Sequence, residues 1–214
     1  MAPMKPAPRP ETGKIRIIGG RWRGTRLSVP ASPGLRPSSD RVRETLFNWL
    51  QSAVPGARVL DAFAGTGALG LEAVSRGAAS AVLVERDAAL CQSLRDTVAR
   101  LSAQSMVEVV QGDAVAWLAR QPKGGFDLAF VDPPFDAALW HSTVAALTPT
   151  LAPGAWIYVE SPVDMALRPP AWALHREGTT REVRYALYRA SGARATDPQG
   201  ADTLNGNVSV AVPE

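Results

Sequence analysis

Two stretches of this chain carry residue types whose spacing can do chemistry. The first is Val59-Leu-Asp61-Ala-Phe-Ala-Gly65-Thr-Gly67-Ala-Leu-Gly70. It reads as a strand running into a G-x-G-x-x-G turn and then a helix, the setting in which glycines let a ligand approach the backbone at a helix N-terminus. Glu85, twenty residues beyond Gly65, ends the next apolar run, where a carboxylate can accept both hydroxyls of a ribose. The pair indicates an adenosine-containing ligand, and on its own leaves a nicotinamide cofactor and S-adenosylmethionine equally open. Asp61 tips the balance to S-adenosylmethionine: a carboxylate just before the loop repels a pyrophosphate and attracts the ammonium of a methionine moiety. Gly112-Asp113-Ala114, just past the third apolar run, offers an acceptor to the adenine amino group.

The second stretch is Phe130-Val131-Asp132-Pro133-Pro134-Phe135, at the end of the fourth apolar run. The exocyclic amine of a nucleobase is a poor nucleophile because its lone pair is delocalised into the ring. Asp132 and the backbone carbonyl of Pro133 can accept its two N–H bonds, favour a pyramidal nitrogen and aim the lone pair at a methyl carbon. Positioning of this kind supplies much catalytic power. Phe135 is placed to stack on a base drawn out of its helix.

The elements that must hold these residues follow from periodicity. Apolar runs at Arg58–Phe63, Ala81–Glu85, Val107–Gln111 and Leu128–Asp132 alternate with helical stretches near 68–77, 87–103 and 114–120. Three of the four runs are almost wholly apolar, as parallel strands covered on both faces are. Alternation of this kind predicts an open α/β sheet with right-handed crossovers. A helix near 137–148, a strand at Ala155–Glu160 and late strands at Trp172–Glu177 and Glu182–Arg189 complete it. The expected fold is Rossmann-like, a mostly parallel seven-stranded sheet with an antiparallel end, as in class I S-adenosylmethionine-dependent methyltransferases.

Charge is distributed unevenly. The first 50 residues carry a net +7 and the remaining 164 a net −4, although the whole chain of 214 residues is only +3. The basic segment Lys14–Val29 reads as two short strands around a glycine-containing turn, followed by a helix from about Asp40 to Ser52, with Pro55-Gly56 as its stop. A basic arm on a nearly neutral body suits phosphate contact, since each cation placed on a phosphate releases condensed counterions. Arg16, Arg21, Arg23, Arg26 and Arg36 are the candidates for that contact, with Trp22 as a candidate for stacking on a base. Arg41 and Arg43, on the helix, are candidates for organising the ligand pocket instead. The expected organisation is a leader over 1–13, a basic hairpin and helix over 14–55, a catalytic domain over 56–189 and a disordered tail over 190–214.

Gly20-Arg-Trp-Arg-Gly-Thr-Arg-Leu27, Arg36-Pro-Ser-Ser-Asp-Arg-Val-Arg-Glu-Thr-Leu-Phe-Asn48, the Asp61–Gly70 loop and Asp132–Phe135 together resemble the bacterial RsmD family. The resemblance spans about residues 14–189. It implies transfer of a methyl group from S-adenosylmethionine to N2 of one guanine in 16S ribosomal RNA. It assigns Asp132, Pro133 and Phe135 to the guanine, and Asp61, Gly65, Gly67, Glu85, Asp113 and Ala114 to the cofactor site. A DNA adenine methylase and a non-catalytic ribosome-assembly factor are the competing readings. Only 79 residues follow Phe135, which argues against a separate DNA-reading module and for recognition through the basic hairpin, loops and RNA shape. The expected partner is 16S ribosomal RNA in an assembling small subunit, met by a monomer in the cytoplasm.

No apolar stretch is long enough to span a bilayer, and the proline-rich start Met1–Pro10 lacks a signal-peptide core. Cys91 is expected to be a small buried thiol and His141 a surface or packing residue. The mechanism needs no metal and no covalent intermediate. Trp49, Trp117, Trp156 and Trp172 are expected in packing roles.

Overall fold

The structure, a computed structural model, describes residues 15–28, 40–134 and 137–192. The leader, Arg36, Phe135 and the tail from 193 lie outside the described residues.

Strands β1 (Ile15–Arg16) and β2 (Arg26–Leu27) pair antiparallel, Ile15 opposite Leu27, and a 3-10 turn at Gly20–Trp22 closes the hairpin. Helix α1 (Asp40–Trp49) buries Val42, Leu46 and Phe47. It ends before the expected Ser52, because Leu50 to Val54 tightens into turns in which Ala53 and Val54 both donate to the Leu50 carbonyl. Pro55 disfavours a helical conformation at Val54, so the helix unwinds ahead of it.

The main sheet has seven strands: β3 (Arg58–Asp61), β4 (Ser80–Glu85), β5 (Val107–Gln111), β6 (Phe126–Val131), β7 (Leu151–Pro162), β8 (Trp172–Thr179) and β9 (Val183–Ala190). Their spatial order is β5-β4-β3-β6-β7-β9-β8. The first five are mutually parallel and β9 runs antiparallel to both β7 and β8, which is the expected layout. Strand β7 starts four residues earlier than the sequence suggested. Pro153-Gly154 reads as a breaker, yet here it is absorbed inside the strand with Gly154 at φ +67, opposite a register shift in β6.

Helices α2 (Ala68–Ser75), α3 (Ala88–Arg100), α4 (Ala114–Leu118) and α5 (Ala137–Leu147) link the strands. Leu71, Val74, Leu94 and Val98, from α2 and α3, join Leu46 and Phe47 of α1 and Ile15, Ile17 and Leu27 of the hairpin in one apolar core on one face of the sheet. Leu118, Trp140 and Leu147, from α4 and α5, fill the other face. The hairpin and α1 therefore share a core with the sheet.

What fastens the hairpin is a buried charge. Glu72, on α2 and wholly shielded from solvent, accepts from the Ile18 and Gly19 N–H groups at 2.7 Å each and from Arg76 Nε at 2.6 Å. Arg43, also buried, has its Nη1 4.0 Å from Glu72 and donates from Nη2 to Asp40 and to the Arg16 carbonyl. The 3-10 turn then lies so close to α2 that a Cβ on Gly20 would stand 1.9 Å from the Ser75 carbonyl oxygen, and Gly20 is at φ +73, which a side chain would also oppose.

Candidate active site at the carboxyl edge of the sheet

Strand order reverses between β3 and β6. From β3 the chain steps outward to β4 and β5, and from β6 it steps the other way to β7. A crevice at the carboxyl ends of the strands opens at such a switch point, and there open α/β sheets bind ligands. The last residue of β3 is Asp61, and the residue after β6 is Asp132. Asp61 and Asp132, both singled out by the sequence, thus stand at the carboxyl ends of the two adjacent strands that flank this switch point.

Asp61 is buried, and its Oδ2 accepts the Gly70 N–H at 2.9 Å across the first turn of α2. Gly67, at φ +77, begins that helix; a Cβ there would come within 2.6 Å of Leu94. Burial pushes the Asp61 carboxyl up to about 7; the Gly70 N–H pulls it back, the charge of Glu85 raises it further, and the Phe63 N–H lowers it. An acid raised in the folded state keeps its proton longer there than in the unfolded chain. Its contribution to stability therefore falls as pH climbs from about 4 to about 7, by an amount of the order of 4 kcal/mol. Asp61→Asn, which retains an acceptor for Gly70, is predicted to melt at a higher temperature than wild type at pH 8 and to match it at pH 4. Calorimetric scans at both pH values check this; equal melting at pH 8 would contradict it.

Glu85 closes β4 with both oxygens engaged from below: Oε2 accepts the Gly65 N–H and Oε1 the Asp87 N–H, each at 2.8 Å. The glycine loop and the acid expected to hold a ribose are therefore tied directly together, with lone pairs left over for hydroxyls. Asp113, exposed, caps α4 by accepting the Ala116 N–H at 2.8 Å, and Ala114 is buried behind it. At Gly112 a Cβ would meet nothing within 4 Å, so the space beside this loop is open. Cys91 is buried, with its thiol pointing at the Glu85 carbonyl and its acidity weakened by burial.

Asp132 is half-buried, Pro133 buried and Pro134 exposed. Burial holds the Asp132 carboxyl well above the usual carboxylate range, and the charges of Glu160 and Asp61 raise it further. Glu160, on β7, was not among the residues the sequence singled out. It is 5% exposed and its Oε1 accepts the Tyr158 hydroxyl at 2.8 Å. A signal was present: Val159-Glu-Ser-Pro162 ends β7 much as Val131-Asp-Pro-Pro134 ends β6, placing an acid at the tip of each of two neighbouring parallel strands. Glu72 was missed as well, although an acid inside the apolar run Leu69-Gly-Leu-Glu-Ala-Val74 marks a charge that folding must bury. Among the described residues, no group of His, Cys, Asp or Glu is arranged to hold a metal ion.

The hairpin residues lie elsewhere. Arg21 donates to the Val74 carbonyl and to Met106 Sδ, and Trp22 N–H donates to Ser75 Oγ, all near the end of α2 or the start of β5. That is the amino edge of the sheet, a helix length from the crevice. Arg21 also lies over the Trp22 ring at 4.7 Å, while Arg16, Arg23 and Arg26 are exposed. Of the helix arginines, Arg43 is buried in the hairpin fastening, bonded to Asp40 and the Arg16 carbonyl, and Arg41 is exposed. His141 is exposed; Trp172 is buried, and Trp49, Trp117 and Trp156 pack half-buried against the cores.

Comparison with known proteins agrees with this layout. The family described as Conserved hypothetical protein 95 matches residues 15–189. Ribosomal RNA small subunit methyltransferase D of Escherichia coli K12 is 49% identical over 190 residues, covering 87% of this chain and 95% of the relative. The protein of the same name from Haemophilus influenzae is 42% identical over 183 residues, with 83% and 94% covered. The solved structure of Escherichia coli yhhF superposes with a TM-score of 0.76 at 49% identity, over 85% of this chain and 100% of that one. The fold is that of the class I methyltransferases, and the chain belongs to the RsmD family, the family of the ribosomal RNA small subunit methyltransferases D.

Proposed function

We propose that this chain transfers a methyl group from S-adenosylmethionine to the exocyclic N2 of a guanine in 16S ribosomal RNA. The observation that carries the reading is the meeting of both motifs at the switch point: Asp132 and the buried Pro133 follow β6, and Asp61 and the Gly65–Gly67 loop end and follow the adjacent β3. The residues fit the donor. Asp61, Glu85, Asp132 and Glu160 stand at or near the carboxyl ends of β3, β4, β6 and β7, an acidic set that suits a sulfonium and an ammonium and would repel a pyrophosphate. The donor supplies an electrophilic methyl carbon. Asp61 would hold its ammonium and Glu85 its ribose, with the adenine in the open space by Gly112, Asp113 and Ala114. Asp132 and the Pro133 carbonyl accept the two N–H groups of the guanine amine and orient its lone pair. Phe135 is the stacking partner in this reading.

Binding of a cationic donor requires Asp61 as carboxylate, and in the free protein that carboxyl titrates at about 7. Affinity is therefore expected to rise about tenfold between pH 6 and pH 8, and to lose that dependence in Asp61→Asn. Titration calorimetry across the range checks it, and a flat wild-type profile would separate Asp61 from the ammonium.

Arg16, Arg21, Trp22, Arg23, Arg26 and Arg36 are the proposed contacts to RNA, within an assembling small subunit and by a monomer in the cytoplasm. Among the described residues no helix is long and apolar enough to cross a membrane. The deciding experiment supplies labelled S-adenosylmethionine with small subunits from a strain lacking this protein, with naked 16S RNA and with duplex DNA. Label recovered as N2-methylguanosine from the subunits is the expected result. Label in DNA adenine, or in none of the three, overturns the reading.

A further inference from the structure

On the side of the sheet that carries α1 and α2, the edge strand β8 is exposed at Ala173, His175 and Arg176. Residues two apart share a face of a strand, so β9 presents Tyr185, Leu187 and Arg189 to this side, with Ala173 opposite Arg189 and Arg176 opposite Leu187. A register shift between Leu174 and Arg176 lets two consecutive side chains of β8 face the same way. His175 is the extra residue, and its ring meets Trp156 of β7 edge-on, 4.8 Å between centroids. The Arg189 guanidinium lies over the same indole at 4.4 Å. Partial desolvation, and then the charges of Arg176 and Arg189, lower the His175 imidazole from its usual value, so both guanidiniums are near enough to act on that ring. Two arginines and a histidine thus gather at one half-buried tryptophan.

Charge is sorted between the two faces of this strand pair. Glu177 stands opposite Ala186 on the other face, where Arg184 Nε donates to it at 3.0 Å and Arg168 lies 3.8 Å away. From Trp172 to Ala190 the remaining acid is Glu182, in the turn between the strands. No acid within β8 or β9 therefore offsets Arg176 and Arg189 on their own side. Leu174, the exposed aliphatic residue of β8, pairs with Tyr188 and points away as well. The strip offers cations and rings rather than the apolar centre of a protein interface.

We propose that Arg176, Arg189 and His175, on a floor of Trp156, form a second phosphate-contact surface for the RNA substrate, separate from the basic hairpin. The proposal rests on the RNA methyl-transfer reading above. A guanidinium stacked on an aromatic face keeps its N–H fork free at the rim, and the stacking fixes its direction in advance, which suits the bidentate grip of a phosphate. Position agrees with this use. Strand β9 runs from Tyr185, opposite Glu160 near the catalytic edge, to Arg189, opposite Trp156, and four residues of strand cover about 13 Å. Trp49 of α1 stacks on Tyr185 at 5.7 Å and bounds the strip on the crevice side. A guanine held at Asp132 would leave the phosphates of a folded neighbouring stretch to settle on the strip, the backbone contact by which structured RNA is held.

The test measures binding to small subunits from a strain lacking this protein, over a range of salt, for Arg176→Gln, Arg189→Gln and the double variant. Each lost contact is expected to make the slope of log affinity against log salt shallower by about 0.7–1, and the double variant to bind roughly tenfold more weakly near physiological salt. In turnover, KM for subunits should rise with kcat unchanged, and donor affinity should stay within about twofold. Arg168→Gln, on the opposite face, is expected to bind as wild type. Should Arg189→Gln fold poorly, Arg176→Gln, at an exposed position, still carries the step of one contact. A wild-type slope in folded Arg176→Gln or in the double variant, or an equal loss in Arg168→Gln, overturns the proposal. The class of partner is read by cross-linking: Cys91 is buried, so Ala173→Cys can be labelled selectively with a benzophenone maleimide. A cross-link to 16S RNA is expected, and one to a ribosomal protein, or none, overturns it. Binding and cross-linking need no turnover, so wild-type protein that grips subunits but methylates nothing would sink the methyl-transfer reading while leaving this surface measurable.

Discussion

Asp132→Ala is expected to bind S-adenosylmethionine within a few-fold of wild type and to transfer methyl groups to small subunits at least about a hundredfold more slowly. The two properties separate because of where the residue stands. Asp61, Glu85 and the glycine loop belong to β3, β4 and their turns, and their mutual bonds, Asp61 to Gly70 and Glu85 to Gly65, do not pass through β6. Removing Asp132 takes away an acceptor for the incoming amine and a neighbouring like charge from Asp61, and neither loss loosens the ribose or ammonium contacts. Calorimetry for the donor and single-turnover kinetics for the transfer measure the two halves. Transfer at the wild-type rate would strip Asp132 of its role, and loss of donor binding would mean that the two motifs are one site rather than two.

Glu72→Ala is expected to be the most damaging single change outside the crevice, destabilising the protein by about 3–5 kcal/mol, a large part of the ~5–15 kcal/mol that holds a domain folded. Alanine would leave the N–H groups of Ile18 and Gly19 and the Nε of Arg76 without their acceptor, and would take from buried Arg43 the second of its two carboxylate neighbours, leaving it Asp40. Arg43 already has Nε and Nη1 without hydrogen bonds, so losing the charge of Glu72 beside them adds to a group that is under-satisfied in the folded protein. Urea unfolding should show the drop in midpoint, and limited proteolysis should now cut within the hairpin while the sheet stays protected. A hairpin that remains protected in a protein of undiminished stability would show that the apolar contacts of Ile15, Ile17 and Leu27 suffice to hold it.

The order of strands and helices was legible because each parallel strand is a short apolar run bounded by a helix cap or a glycine, and the caps are real: Asp87 accepts from Ala89 and Leu90, and Asp113 from Ala116. The site acids Asp61, Glu85 and Asp132 were legible because each ends a strand, so topology alone carries them to one edge. Glu160 and Glu72 were not, for opposite reasons. Glu160 lies two positions inside the end of the long strand β7, and it is the register between β6 and β7 that sets it level with Asp132, 28 positions away in sequence. Glu72 lies within a helix whose apolar pattern it interrupts, and only the docked hairpin explains the interruption. The same docking explains why Arg43 turned inward. The arginine-rich composition of the first 50 residues reads as one basic surface, and the fold divides it into exposed cations and a buried one.

That division has a geometric corollary. Arg21 and Trp22 are held at one end of α2 and the glycine loop at the other, and eight helical residues separate them by about 12 Å. A free nucleotide or a short unstructured strand gains nothing from touching only one end. Under the proposed assignment of the hairpin to RNA, a target that engages both must keep a base and a distant stretch of phosphates at a set separation, a demand that folded nucleic acid meets and a limp chain does not.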